Sequence, residues 1–159
     1  MAMRIALGCD EAAYELKEVV KGLLLEEHHE VEDFGTFDAS RSVLYPDVAF
    51  AVAEAVATGR FPRAILMCGT GIGMSICANK VPGVRAALAH DTYSAERARK
   101  SNDAQVLTMG ARVVGPELAK SIVRAWLRSE FEAGRSSAKV DKIRDHDARV
   151  LGATASRKP

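Results

Sequence analysis

The sequence predicts an α/β domain in which a five-stranded parallel sheet carries helices on both faces. Short apolar runs alternate five times with longer segments of helical period, the pattern of repeated strand–helix units. The length of 159 residues suits one domain that buries its own core without disulfide or metal staples. No internal repeat, low-complexity block or linker divides the chain. Residues 1–159 are therefore expected to form one domain.

The elements follow in order. "RIALGC" (4–9) reads as a strand, and "AAYELKEVVKGLLLEE" (12–27) as a helix with Leu16, Val19, Val20, Leu23 and Leu24 on one face. "VEDF" (31–34) is the second strand, followed by a helix over "PDVAFAVAEAVATG" that starts at Pro46, a residue suited to the first helical turn. "RAILMC" (63–68) leads through a glycine-rich loop into a helix from about Met74. "RAALAH" (85–90) precedes a helix through "TYSAERARK", and "AQVLTMG" (104–110) precedes one over "PELAKSIVRAWLRSEF" (116–131).

The last thirty residues differ. They hold a charged helical stretch with few apolar positions to dock on their own domain, so about 132–151 are expected to pack on a partner subunit and 152–159 to be disordered. The formal net charge of +1, from 22 basic and 21 acidic residues, gives no basic face for nucleic acid and no charged tail. Cys9, Cys68 and Cys77 form an odd set with no C-x-x-C pair, which fits a reducing compartment. Asp10 and Glu11 interrupt the N-terminal apolar run, so no signal peptide or membrane span is expected and the default is a soluble cytoplasmic protein.

In open parallel sheets ligands bind beyond the carboxyl ends of the strands. Cys9–Asp10, Cys68–Gly73, His90–Asp91 and Gly110–Arg112 should therefore line one rim. In "CGTGIG" (68–73) the three glycines permit positive φ, so successive amides can converge on an anion at the start of a helix. The spacing matches neither a Walker A loop nor a dinucleotide fingerprint after a first strand, although a nucleotide-binding module remains a competitor. Cys68, at a strand end beside this loop, is expected to have a lowered pKa and to serve as a base, where an isolated cysteine would more often be a small buried hydrophobe. Packing is the expected role of Cys77, inside the next helix, and of Cys9.

Taken together, "GCDEAAYELK", "YPD", "CGTGIGMSICANKVPGVRAALAHDTYSAERAR", "NDAQVLTMGARVVGPELAKSIVRAWL" and "EAGR" resemble the ribose-5-phosphate isomerase B family, which includes galactose-6-phosphate isomerase subunits, over about residues 4 to 145. The resemblance implies a Rossmann-like three-layer sandwich and a homodimer or dimer of dimers with active sites shared between subunits. It further implies aldose–ketose isomerisation of a sugar phosphate through a cis-enediolate, without cofactor or metal. On this likeness Cys68 is the catalytic base, and Thr70 with the amides of Gly69, Gly71, Ile72 and Gly73 is the anion hole. Asp10 holds substrate hydroxyls, its local alternative being an N-cap. Asn102 is a contact across the dimer. Arg112 is a phosphate ligand, joined by the partner's Arg135 and by Lys139, which stands where the family commonly has a second arginine.

Two departures from the family pattern bear on substrate. The first loop reads Asp10–Glu11 where the family has Asp-His, so Glu11 is expected to turn away from the phosphate or meet a hydroxyl. The triplet that carries the family's ring-opening histidine reads Ser101–Asn102–Asp103. His90 is a candidate substitute acid, or else a cap on the following helix. Two substrates stay open: ribose 5-phosphate, and D-erythrulose 4-phosphate with D-erythrose 4-phosphate, whose chain needs no ring opening. A non-catalytic phosphosugar sensor is the remaining alternative.

Overall fold

The computed structural model describes residues 2–155, with side chains up to residue 150. Five strands, β1 Arg4–Cys9, β2 Glu30–Asp33, β3 Arg63–Cys68, β4 Ala86–Leu88 and β5 Val106–Gly110, alternate with α1 Tyr14–Glu26, α2 Tyr45–Ala57, α3 Ile72–Ala78, α4 Thr92–Asn102 and α5 Pro116–Leu127, and α6 Ser137–Ala155 ends the chain. A 3-10 turn, Glu11–Ala13, joins β1 to α1. The strands form one all-parallel sheet in the order β2-β1-β3-β5-β4.

Alternation along the strands divides the core into two layers. Ile5, Leu7, Cys9, Ile65, Met67, Leu107 and Met109 pack against α1, α4 and α5, where Leu24, Ala95, Ile122 and Trp126 are buried. Ala6, Ala64, Leu66, Cys68 and Val106 pack on the other face against α2 and α3. The sandwich is three-layered and Rossmann-like, as the family resemblance implied.

Local chemistry moves some element ends. The fourth strand is shorter than the apolar run 85–90, because the Arg85 amide donates to Gln105 Oε1 at 2.9 Å and His90 turns away to meet Gly110. The glycine turn starts α3 at Ile72, ahead of Met74. α5 ends at Leu127 and not near 131, since the buried Arg63 guanidinium takes the Ser129 carbonyl and the Glu130 carboxylate. α6 reaches Ala155, so the segment expected to be disordered is helical over 152–155, while 156–159 lie outside the described residues.

Two contacts bear on the site's surroundings. Lys17 is fully buried, and its ammonium donates to both Asp33 oxygens at 3.0 and 2.7 Å and to the Thr36 carbonyl at 2.8 Å, with Lys21 adding a bond to Asp33 at 2.9 Å. Burial alone would raise the Asp33 carboxyl, but the bonds from Lys17, Lys21 and the Gly35 amide outweigh it and hold the group below its ordinary value. Among the described side chains of α6 only Val140 is buried, and Asp147 accepts from the Gly83 amide at 2.8 Å.

Candidate active site

Crossovers leave β1 and β3 towards opposite edges of the sheet, which opens a crevice beyond their carboxyl ends. The four rim segments meet there. Asp10 N–H donates to Met67 O at 3.3 Å, Arg112 N–H to Gly69 O at 3.0 Å, and Gly110 N–H to His90 Nε2 at 2.9 Å. Gly71 has φ +76°, and a Cβ there would stand 2.7 Å from the Met109 carbonyl carbon. A Cβ on Gly110 would stand 2.6 Å from Thr70 Cα. The two rim loops therefore touch backbone to backbone, and only glycine fits at either point.

Cys68 ends β3 with 5% of its surface exposed. Its Sγ accepts the Gly71 N–H at 3.1 Å, a bond that strengthens when the sulfur is negative. Thr70 Oγ1 takes the Ile72 N–H at 3.3 Å. The amides of Gly69, Thr70 and Gly73 are left uncommitted by the loop's own hydrogen bonds. The Arg112 side chain lies along Gly69, 3.5 Å from where a Cβ would be. Cys9, by contrast, is fully buried and burial pushes its thiol up to about 12, against the attraction of Lys17. It packs, as does the buried Cys77, whose thiol burial also raises.

Asp10 stands in the N-cap position of the 3-10 turn but makes no side-chain cap bond. Its Oδ1 is buried without a partner. Burial first, then the Glu11 charge, push this carboxyl above its ordinary value, against partial offsets from the nearby Ala12 and Ala13 amides and Arg112. Glu11 turns to the loop ahead of α2, where it accepts from Ser42 Oγ at 3.0 Å and from Val43 N–H at 3.1 Å. The Val43 amide chiefly holds its carboxyl below the ordinary value. His90 Nε2 is an acceptor, so the ring proton sits on Nδ1. The capping role considered for His90 belongs to Asp91, whose Oδ1 takes the Ser94 N–H at 2.7 Å.

One rim residue went unassigned from sequence. The Tyr45 ring covers Gly73, 2.5 Å from where a Cβ would be. Its signals were the Tyr45–Pro46 start of α2 and its place in the "YPD" stretch of the family resemblance.

Ser101, Asn102, Arg135 and Lys139 are elsewhere. α4 leaves the rim and runs back along the sheet for 11 residues, about 16 Å at 1.5 Å per residue. Its end lies by the amino ends of the strands, where Asn102 O accepts from Arg85 Nε at 3.0 Å and Lys100 O from Glu132 N–H at 3.0 Å. Arg135 and Lys139 follow from Glu132 and are exposed. One protomer thus holds two polar clusters at opposite ends of its sheet. No group of three or more His, Cys, Asp or Glu able to hold a metal ion occurs among the described residues, nor a helix long and apolar enough to cross a membrane.

The sequence profile of the family described as Ribose/Galactose Isomerase matches residues 5–143. A Ribose-5-P isomerase B of Listeria innocua is 55% identical over 145 residues, 91% of this chain and 97% of its own. A D-erythrulose-4-phosphate isomerase of Pectobacterium atrosepticum is 54% identical over 141 residues, 89% and 93% of the two chains. The structure of Clostridium thermocellum ribose-5-phosphate isomerase B superposes with a TM-score of 0.90 at 46% identity, covering 93% of this chain and 99% of that one. The chain therefore belongs to the ribose/galactose isomerase family, and is an enzyme that interconverts aldose and ketose sugar phosphates.

Proposed function

We propose that Cys68 is the general base of this isomerisation and that each active site is built from two copies of the chain. The thiolate takes the proton from the carbon beside the substrate carbonyl, and the C–H electron pair forms the enediolate C=C while the carbonyl π pair moves to its oxygen. The Cys68 thiol returns the proton to the former carbonyl carbon, and the neighbouring hydroxyl's proton passes to the former carbonyl oxygen across the cis pair of oxygens. Electrons balance within the sugar. The amides of Gly69, Thr70 and Gly73 are the available donors for the developing oxyanion. Asp10, with its unpartnered Oδ1, holds a substrate hydroxyl, and Arg112 meets the phosphate. The partner's Ser101, Asn102, Arg135 and Lys139 complete the site, since no protomer brings its own to Cys68. Exposed Ile72, Ile76, Leu88 and Tyr93 supply apolar surface for that contact.

The substrate reading favoured by the geometry is a tetrose 4-phosphate, D-erythrulose 4-phosphate with D-erythrose 4-phosphate. The observation that carries it is Ser101, which supplies no acid–base side chain near neutrality where the family pattern has a histidine, while the Nε2 of His90 accepts from the Gly110 amide. A tetrose whose O4 carries the phosphate cannot close a furanose through that oxygen, so it needs no ring-opening acid. The second reading, ribose 5-phosphate, draws on the relatives that carry that name. Catalytic efficiency on both aldose phosphates, with Ser101→His as companion, decides. A tenfold wild-type preference for ribose 5-phosphate, about 1.4 kcal/mol in the transition state, rejects the tetrose reading; a preference for erythrose 4-phosphate, with ribose activity gained by Ser101→His, supports it.

A further inference from the structure

Ser101 is not a bare serine on a helix end. Arg97, one turn earlier on α4, donates to its Oγ from two atoms, Nε at 3.1 Å and Nη2 at 2.5 Å. A hydroxyl oxygen has two lone pairs and one proton. With both lone pairs turned to the guanidinium, the proton must point away from it, and no acceptor among the described residues takes it. The third guanidinium nitrogen, Nη1, stands 4.0 Å from Glu96 Oε1 and 4.0 Å from Glu132 Oε2, the far edge of ion-pair distance. The cation beside Oγ is thus only loosely neutralised, which makes the O–H a stronger donor.

Resting on the shared-site reading, we propose that Arg97 is a positioning residue that fixes Ser101 as a one-way hydrogen-bond donor to a hydroxyl or carbonyl oxygen of the sugar in the neighbouring copy's site. A free serine would rotate between donating and accepting. Held in this way, Ser101 orients an open-chain oxygen but has no lone pair with which to receive a ring hydroxyl's proton. The Arg97–Ser101 pair therefore selects for a substrate that arrives with its chain open.

A double-mutant cycle tests this, with wild type, Arg97→Leu, Ser101→Ala and the double variant assayed for kcat/KM on erythrose 4-phosphate and ribose 5-phosphate. Each single change should lower kcat/KM on the preferred sugar about tenfold, the loss of one substrate hydrogen bond. The double variant should lose no more than the worse single, because Arg97 acts only through Ser101. Arg97→Lys, which keeps the charge but puts one nitrogen where arginine has two, should recover part of the loss. Thermal unfolding of each protein separates a helix defect from this effect. Wild-type efficiency in Arg97→Leu, or losses that multiply in the double variant, overturns the proposal. A wild-type preference for ribose 5-phosphate overturns the tetrose reading and, with it, the selection for an open chain; the cycle read on that sugar then tests the positioning role by itself. A fully active monomer in sedimentation overturns the shared site and this inference with it.

Discussion

Replacing Cys68 by alanine separates chemistry from packing. The side chain is 5% exposed, and its sulfur is the acceptor for the Gly71 amide at 3.1 Å. Truncation orphans that amide inside the loop, which costs about 1–3 kcal/mol of stability. Loss of a general base costs about 10²–10⁴ in turnover, or about 2.7–5.4 kcal/mol in the transition state. Serine splits the two: its oxygen still accepts the Gly71 bond, so Cys68→Ser should unfold near the wild-type temperature, yet its hydroxyl is a poor base and turnover should stay low. Isomerisation, uptake of solvent deuterium at the reacting carbon and thermal unfolding would be measured on all three proteins. An alanine variant that isomerises near the wild-type rate makes Cys68 a packing residue and refutes the mechanism.

Other consequences are equally open to measurement. Glu11→Ala should release the segment held through Ser42 and Val43, raising KM severalfold and speeding exchange of the Val43 amide, while Glu11→Gln, which keeps one acceptor oxygen, is milder; unchanged Val43 exchange would sink the latch. Deleting residues 134–159 removes Arg135 and Lys139, so it should raise KM and lower activity, and a fully active truncated enzyme contradicts the shared site. Asp33→Asn removes the buried partner of the Lys17 ammonium and leaves it only the part-exposed Glu18 carboxylate at 3.2 Å, so it should cost less than the roughly 3–5 kcal/mol of an unpaired buried charge at neutral pH. Because the folded state holds the Asp33 carboxyl below its ordinary value, this contribution is complete above the unfolded value near 4 and vanishes as pH falls through the folded one. Urea unfolding at pH 7 and in acid should show the gap between wild type and Asp33→Asn closing; a gap that persists undiminished refutes the assignment.

The sheet was legible because four of its strands are short apolar runs, the edge strand β2 with its sequence EVED being the exception, and the intervening helices bury one face each, signals that survive without knowledge of pairing. Its ends were less so. Arg85, Gln105 and His90 shorten β4 through side-chain bonds that no periodicity encodes, and the early stop of α5 depends on Arg63, some sixty positions away in sequence. At the site, the rim membership of Asp10, Cys68, His90 and Arg112 followed from strand ends alone. That Glu11 would choose the amide of Val43, or that Arg97 would close on Ser101, rests on rotamers and loop placement. Tyr45 was quoted within "YPD" but given no role, because a tyrosine beside a proline reads as a helix start, and only the approach of its ring to Gly73 reveals where it lies.

The contact of Gly71 with Met109 and of Gly110 with Thr70 has an evolutionary side. A single methyl at either glycine would strike main chain under 3 Å away, and no rotamer change can yield. The cradle around Cys68 is therefore closed to gradual variation, since every one-step departure forces both loops apart. The cluster at the far end of α4 has no such lock: its side chains lie on helix and loop surfaces, where substitution disturbs no backbone. On the proposed shared site, adaptation to sugars of different length has its open route there, through residues each copy would lend to its neighbour, while the end around Cys68 stays fixed by steric necessity.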